Sequence, residues 1–135
     1  MRSTEIEVRT GSSSQVVDLT DDVAGFCDGQ GDGLVHVFAP HATAGLALIE
    51  TGAGSEHDLL DALGELLPRD DARWRHRHGA PGPGADHVLP ALVAPFLVLP
   101  VDAGRLALGT WQRVCLVDPN VDNPRRRVRL SFVPG

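Results

Sequence analysis

Close to its C-terminus the chain alternates strictly. Val128, Leu130 and Phe132 are apolar, and Arg127, Arg129 and Ser131 between them are polar. Successive side chains of a β-strand point to opposite faces, so such a segment is a strand with one face in a core and the other in solvent. Thr4–Thr10 repeats the pattern, with Ile6 and Val8 set against Glu5, Glu7 and Arg9. Two half-buried strands at the two ends of the chain require a sheet that has a covered face and a wet one.

The middle of the chain supplies the rest of that sheet and what packs on it. Gly11–Ser14 reads as a turn and Gln15–Leu19 as a strand, so the first two strands are expected to form a hairpin. Thr20 is placed to cap a short helix, with Asp21 and Asp22 in its first turn. Asp28–Gly33 is a glycine-rich loop without the Lys-Ser/Thr ending of a phosphate-binding loop. Leu34–Phe38 and Gly45–Ile49 are strand-like, and between them Pro40 has no N–H to give to a ladder. Ser55–Leu67 is the clearest helix: Ser55 and Asp58 form a capping signal, Leu59, Leu63, Leu66 and Leu67 share a face, and Pro68 stops it. Arg69–Asp86 reads as a long exposed loop, and Phe96–Val101 as a strand. Arg105–Val117 reads as one long strand broken at Gly109. The expected total is about seven strands and two helices, with no strand–helix–strand alternation. The predicted fold is therefore a single α+β domain over residues 1–135: a mainly antiparallel, jelly-roll-like β sandwich with one or two helices packed on it.

With 135 residues, the chain can bury a full core without a disulfide or metal staple. A formal net charge of −6 argues against nucleic acid as the partner, because phosphate backbones need a basic surface. All of the positive charge is arginine, clustered at Arg69, Arg73, Arg75 and Arg77 and again at Arg125, Arg126, Arg127 and Arg129. Guanidinium suits paired contacts with carboxylates and phosphates, though surface salt bridges are the commoner use. The longest apolar run, Ala91–Val101, is too short to span a bilayer and contains Pro95 and Pro100. Cys27 and Cys115 form no paired motif and no secretory leader is visible, so a cytoplasmic protein with reduced thiols is expected.

Six histidines occur, and placement separates them. His36 lies mid-strand and His57 in the first turn of a helix, where both serve as ordinary structural or surface residues. His41 follows Pro40 at a strand end, where a side chain can face a cleft. His76 and His78 lie two apart in the arginine-rich loop, and spacing does not choose between them. His87 follows Asp86 just before an apolar segment. No H-E-x-x-H motif and no nucleophile elbow is present, so neither a zinc site nor a serine hydrolase follows from spacing. Trp111 reads as core, and Gln112 beside it would need a polar partner if buried.

Three stretches resemble the YjbQ-like family, also called the secondary thiamine-phosphate synthase family. Pro40-His41-Ala42-Thr43-Ala44-Gly45-Leu46, running on to Glu50, is similar to the family's His-Thr-Thr-Ala segment that ends in Asn-Glu. Trp74-Arg75-His76, eleven residues ahead of His87, resembles its aromatic-x-His and Ala-His pair. Pro100-Val101 through Gly104-Arg105-Leu106-Ala107-Leu108-Gly109-Thr110-Trp111-Gln112 is the longest match. The chain departs from the family where Thr51-Gly52-Ala53-Gly54-Ser55 replaces Asp-Pro-Asp, and where Asp118 replaces a typical Glu.

The resemblance implies a homotrimer with sites near subunit boundaries. It also implies a weak ability to join a pyrimidine diphosphate to a thiazole phosphate, releasing pyrophosphate. His41, His76 and His87 would then hold a divalent metal (Mg or Zn) or donate to oxyanions, with Glu50 and Asp58 orienting them. Gln112 and Arg127 would bind a phosphorylated or anionic substrate. A trimer that binds a metal or an anionic ligand without turnover is the alternative.

Overall fold

The computed structural model describes residues 1–70, 72–76 and 83–135. Arg77 and His78 lie outside the described residues. The elements run β1 (Arg2–Arg9), β2 (Gln15–Asp18), α1 (Thr20–Cys27), β3 (Gly33–Phe38), β4 (Gly45–Ile49) and α2 (Ser55–Leu66). They continue with α3 (Pro83–Leu92), β5 (Phe96–Asp102), β6 (Arg105–Leu106), β7 (Arg113–Asp118) and β8 (Arg125–Pro134). A five-stranded sheet in the order β1-β8-β3-β5-β6 faces a three-stranded sheet in the order β2-β7-β4. Every strand pair is antiparallel. The α+β class and the antiparallel pairing agree with the sequence.

The layers follow from the alternation. Val128, Leu130 and Phe132 of β8 and Val35 and Val37 of β3 point inward and meet Leu46 of β4 and Val114 and Leu116 of β7. Val23 and Cys27 of α1 close the same core. β7 is the central strand of its sheet and is buried on both faces, which is why Val114–Val117 is apolar without a break. Its outer face, with Val117, packs against Leu63 and Leu67 from the α2 segment and Ala85 and Leu89 of α3. Gly45 lies so close to the Val93 carbonyl beyond α3 that a Cβ would overlap it, and Leu46 N–H donates to Ala94 O at 2.8 Å. The last turn of α3 is thereby tied to the start of β4.

Several local expectations are corrected. The first two strands do not form a hairpin. β1 pairs with β8 and β2 with β7, in different sheets, because each finds a longer apolar partner elsewhere. Arg105–Val117 is not one strand: β6 stops after Leu106, and the chain turns at Gly109–Gln112 before β7 begins. The proposed loop to Asp86 ends early, since α3 starts at Pro83 and Asp86 is buried. The Ser55/Asp58 cap is absent. Gly54 is the capping residue, in a left-handed conformation, and Glu56 reaches back to the Gly52 N–H. Leu66 is exposed, so the apolar face of α2 is narrower than its leucines suggest. Trp111 is 71% exposed and is not core. Among the described residues no helix is long and apolar enough to cross a membrane.

Candidate functional site

His41 occupies the place where a strand was prevented from continuing. The β3–β8 register pairs Phe38 with Arg129, and two further steps would set Pro40 against Arg127. Pro40 cannot donate, so β3 stops, and His41 N–H turns back to Ala39 O at 2.8 Å. The His41 ring then fills the vacated ladder position. Its Nε2 lies 2.9 Å from the Arg127 N–H nitrogen and 3.1 Å from the Arg127 carbonyl oxygen. One ring nitrogen serves only one of these at a time: it accepts the Arg127 N–H in one neutral tautomer and donates to the Arg127 carbonyl in the other. Partial burial and the charge of Arg126 hold the His41 pKa below its ordinary 6.5, against the upward pull of the Arg127 backbone and Asp118. The imidazole thus favours its neutral form near pH 7.

Behind His41 lies a polar group that the sequence analysis missed. Arg126 is 1% exposed and Asp118 is fully buried. Arg126 Nε donates to Asp118 Oδ2 at 2.8 Å, and its Nη2 donates to Asp118 Oδ1 at 2.9 Å. The same Nη2 donates to the Thr43 hydroxyl at 2.8 Å, and Nη1 reaches the Asn123 side-chain oxygen at 3.2 Å. A guanidinium this deep is tolerated because its donors are met in the paired geometry it prefers. The signal was present: carried one step back, the alternation of β8 puts Arg126 on the face of Val128, Leu130 and Phe132.

The chain of contacts continues toward α3. Asn120 N–H donates to Asp118 Oδ1 at 3.1 Å, and Asn120 Nδ2 donates to Asp86 Oδ2 at 2.9 Å. Arg69 Nη1 donates to the other oxygen of Asp86. A buried polar path therefore runs from Thr43, two residues from His41, to Asp86, next to His87. His87 stacks on His76 with ring centroids 3.8 Å apart and planes 24° apart. Trp74 anchors that segment: its indole N–H donates to Pro68 O at 2.7 Å, and its side chain packs so closely on Gly84 that no Cβ fits there.

The remaining predicted residues lie elsewhere. Gly45 pairs with Val117 and Ile49 with Arg113, so Glu50 stands at the opposite end of the β4–β7 ladder from His41. Five residues of strand separate them by about 16 Å. Gln112 sits at the Glu50 end, where its side-chain oxygen accepts the Gly109 N–H at 2.8 Å. Asp58 is exposed in the first turn of α2, where its N–H donates to Gly54 O at 3.0 Å. The Arg127 guanidinium is exposed and loosely held, 3.9 Å from Glu5.

The arrangement was tested for a divalent metal. His41 Nε2 is occupied by the Arg127 backbone. Among the described residues no group of three or more His, Cys, Asp or Glu is placed to hold a metal. Among the described residues the donor set does not supply the three or four converging ligands that a metal centre needs.

Comparison with known proteins settles the lineage. The family described as UPF0047 protein YjbQ-like matches residues 4–135. The chain belongs to that family. It is 64% identical over 121 residues to UPF0047 protein Rv2556c of Mycobacterium tuberculosis (strain ATCC 25618 / H37Rv), covering 90% of each chain. With UPF0047 protein YugU of Bacillus subtilis (strain 168) it shares 29% identity over 125 residues, 90% of this chain and 91% of the other. Among solved structures, hypothetical protein APE1520 from Aeropyrum pernix K1 superposes with a TM-score of 0.88 at 30% identity over the whole of both chains. Conserved hypothetical protein TT1486 from Thermus thermophilus gives 0.83 at 34% identity, covering 96% of this chain and 99% of that one. The fold and the family are shared; none of these names states an activity.

Proposed function

We propose that this member of the YjbQ-like family is a small cytoplasmic enzyme acting on a phosphorylated or otherwise anionic small molecule, and that a thiamine-phosphate-synthase-type transfer is within its reach. The observation that carries the reading is His41: an imidazole that favours its neutral form, oriented by main chain beside the buried charge of Arg126. In the transfer, the thiazole nitrogen attacks the pyrimidine methylene carbon. The carbon–oxygen bond to the diphosphate breaks, and pyrophosphate leaves with the electron pair. The protein's task is to meet the charge growing on the leaving oxygens. In this reading His41, His76 and His87 donate to those oxygens, and the exposed guanidinium of Arg127 supplies positive charge.

Glu50, Asp58 and Gln112 join such a site only if a second copy brings them. The position of Glu50 and Gln112 across the β4–β7 ladder from His41 supports a homotrimer with sites at subunit boundaries. The outer face of the five-stranded sheet supports it too, because Leu34, Phe96, Val98 and Val133 are each more than two-fifths exposed there.

The test incubates purified protein with the pyrimidine diphosphate and thiazole phosphate, with and without Mg²⁺ or Zn²⁺, and measures thiamine phosphate. His41→Ala and His87→Ala are expected to abolish turnover while circular dichroism shows the fold intact. Wild-type rates in both variants would overturn the proposal. That same apolar face favours a second reading, a trimer that binds an anionic ligand without converting it. A trimer in sedimentation that binds pyrophosphate but forms no product selects that reading.

A further inference from the structure

The link Ala39–Ala44 carries the chain from β3 in one sheet to β4 in the other, and His41 rides on it. Main-chain bonds fasten both of its ends. Ala39 N–H donates to Pro95 O at 2.8 Å, and Leu46 N–H, just inside β4, donates to Ala94 O at 2.8 Å. Between those ends two side chains tie the link to β8. The His41 ring sits on the Arg127 main chain, and the Thr43 hydroxyl accepts Arg126 Nη2 at 2.8 Å. The two anchors are consecutive residues of one strand.

The Thr43 contact is directional. Arg126 points into the sandwich from β8 and meets Asp118, the last residue of β7, so it bridges the two sheets. Asp118 takes Nε at 2.8 Å and one hydrogen of Nη2 at 2.9 Å. A guanidinium is planar, so fixing two of its donors fixes the direction of the next, and the second Nη2 hydrogen is aimed at Thr43. Asp118 Oδ1 also accepts the Asn120 N–H, and Asn120 Nδ2 reaches Asp86, the neighbour of His87 in α3. One buried frame thus sets both the His41 link and the part of α3 that carries His87. All of these bonds lie within one chain, so they hold whatever covers its surface.

We propose that Arg126 is a positioning residue for His41: held in direction by Asp118, it fixes the link Ala39–Ala44 through the Thr43 hydroxyl and so keeps the imidazole seated on the Arg127 main chain. The consequence for turnover rests on the reading of His41 as a group that meets the substrate. The seating of the ring does not, and it can be measured without any substrate.

Thr43→Val removes the hydroxyl at nearly the same shape and leaves the Arg126–Asp118 pair in place, whereas Thr43→Ser keeps the hydroxyl. Arg126→Lys keeps the charge and loses the planar fork. The readouts are the His41 ring signal and the Arg127 amide signal in nuclear magnetic resonance, with His41→Ala giving the position of that amide when no ring is present. Thr43→Val and Arg126→Lys are each expected to move the Arg127 amide about half of the way or more toward that position, and Thr43→Ser to leave it at the wild-type position. For thiamine phosphate formation, kcat is expected to fall at least about tenfold in Thr43→Val with KM within about twofold, and to recover in Thr43→Ser. An Arg127 amide and a His41 ring unmoved by Thr43→Val would overturn the proposal. So would a Thr43→Ser variant that behaves like Thr43→Val, or a wild-type kcat in Thr43→Val. A wild-type protein that forms no product overturns the functional reading alone, because the two resonance signals still decide how the ring is held.

Discussion

Removing the carboxylate of Asp118 isolates the energetics of the buried pair. In Asp118→Leu the Arg126 guanidinium stays 1% exposed but loses two of its acceptors. Breaking a buried pair by deleting one partner costs about 3–5 kcal/mol, because the remaining charge is stranded. Unfolding entropy near the midpoint is about 2.1 cal/mol/K per residue, or about 0.28 kcal/mol/K for 135 residues, so Tm should fall by about 11–18 °C. Asp118→Leu combined with Arg126→Met removes both charges and should recover at least about half of that loss. Recovery is incomplete because the Asn120 N–H and the Thr43 hydroxyl lose their partners in the double variant. The assay is thermal and urea unfolding of wild type, both single variants and the double. A double variant as unstable as Asp118→Leu alone, or a single variant within about 1 kcal/mol of wild type, would refute the stranded-charge argument.

Gly45→Ala should destabilise by about 2 kcal/mol or more, since its Cβ meets the Val93 backbone carbonyl and neither strand nor helix end can give way; urea unfolding measures it. Cys27 and Cys115 are buried, free thiols, and burial raises the pKa of both, that of Cys115 to about 12. Neither should react with a thiol reagent in native protein, and both should react in denaturant. Stability should fall with acid in two windows. A neutral-preferring His41 contributes fully above 6.5, and the contribution is lost as pH drops below that through the lowered native pKa. His41→Gln should erase this first window in a pH series of urea midpoints. Partial burial pushes the Asp18 pKa up, but hydrogen bonds from Thr20 and Arg113 outweigh it, so the native value lies below 3.8. Its contribution is complete above 3.8 and is lost only at lower pH; Asp18→Asn should flatten that second window.

The strands were legible wherever burial is one-sided. Val128, Leu130 and Phe132 against Arg127, Arg129 and Ser131 declare both the strand and its inner face. Helix α2 was legible from its leucines, though Leu66 shows that a shared face need not be wholly covered. The pairing was not legible, because hydrogen bonding along a backbone is nearly indifferent to sequence. The proximity of β1 and β2 in the chain suggested a hairpin that the two sheets do not make. The polar residues divide the same way. His41 stood out from its neighbour Pro40, and His76 and His87, chosen by family resemblance, do stack. Arg126 stood in an arginine cluster and Asp118 in a departure from the family pattern, and neither setting says that the two meet in the core.

By itself, then, the sequence determined that the chain builds an antiparallel α+β domain of the YjbQ-like family and which histidines merit attention. Periodicity reports burial directly, and the quoted segments carry the lineage. Tertiary structure decided how those residues are grouped. It set His41 on the Arg127 backbone, joined its loop to α3 through a buried Arg126–Asp118–Asn120–Asp86 path, and left Glu50, Gln112 and Trp111 at the far end of β4. The physical reason is that register and sheet order arise from contacts among residues distant in the chain, and no local pattern encodes which distant partner wins.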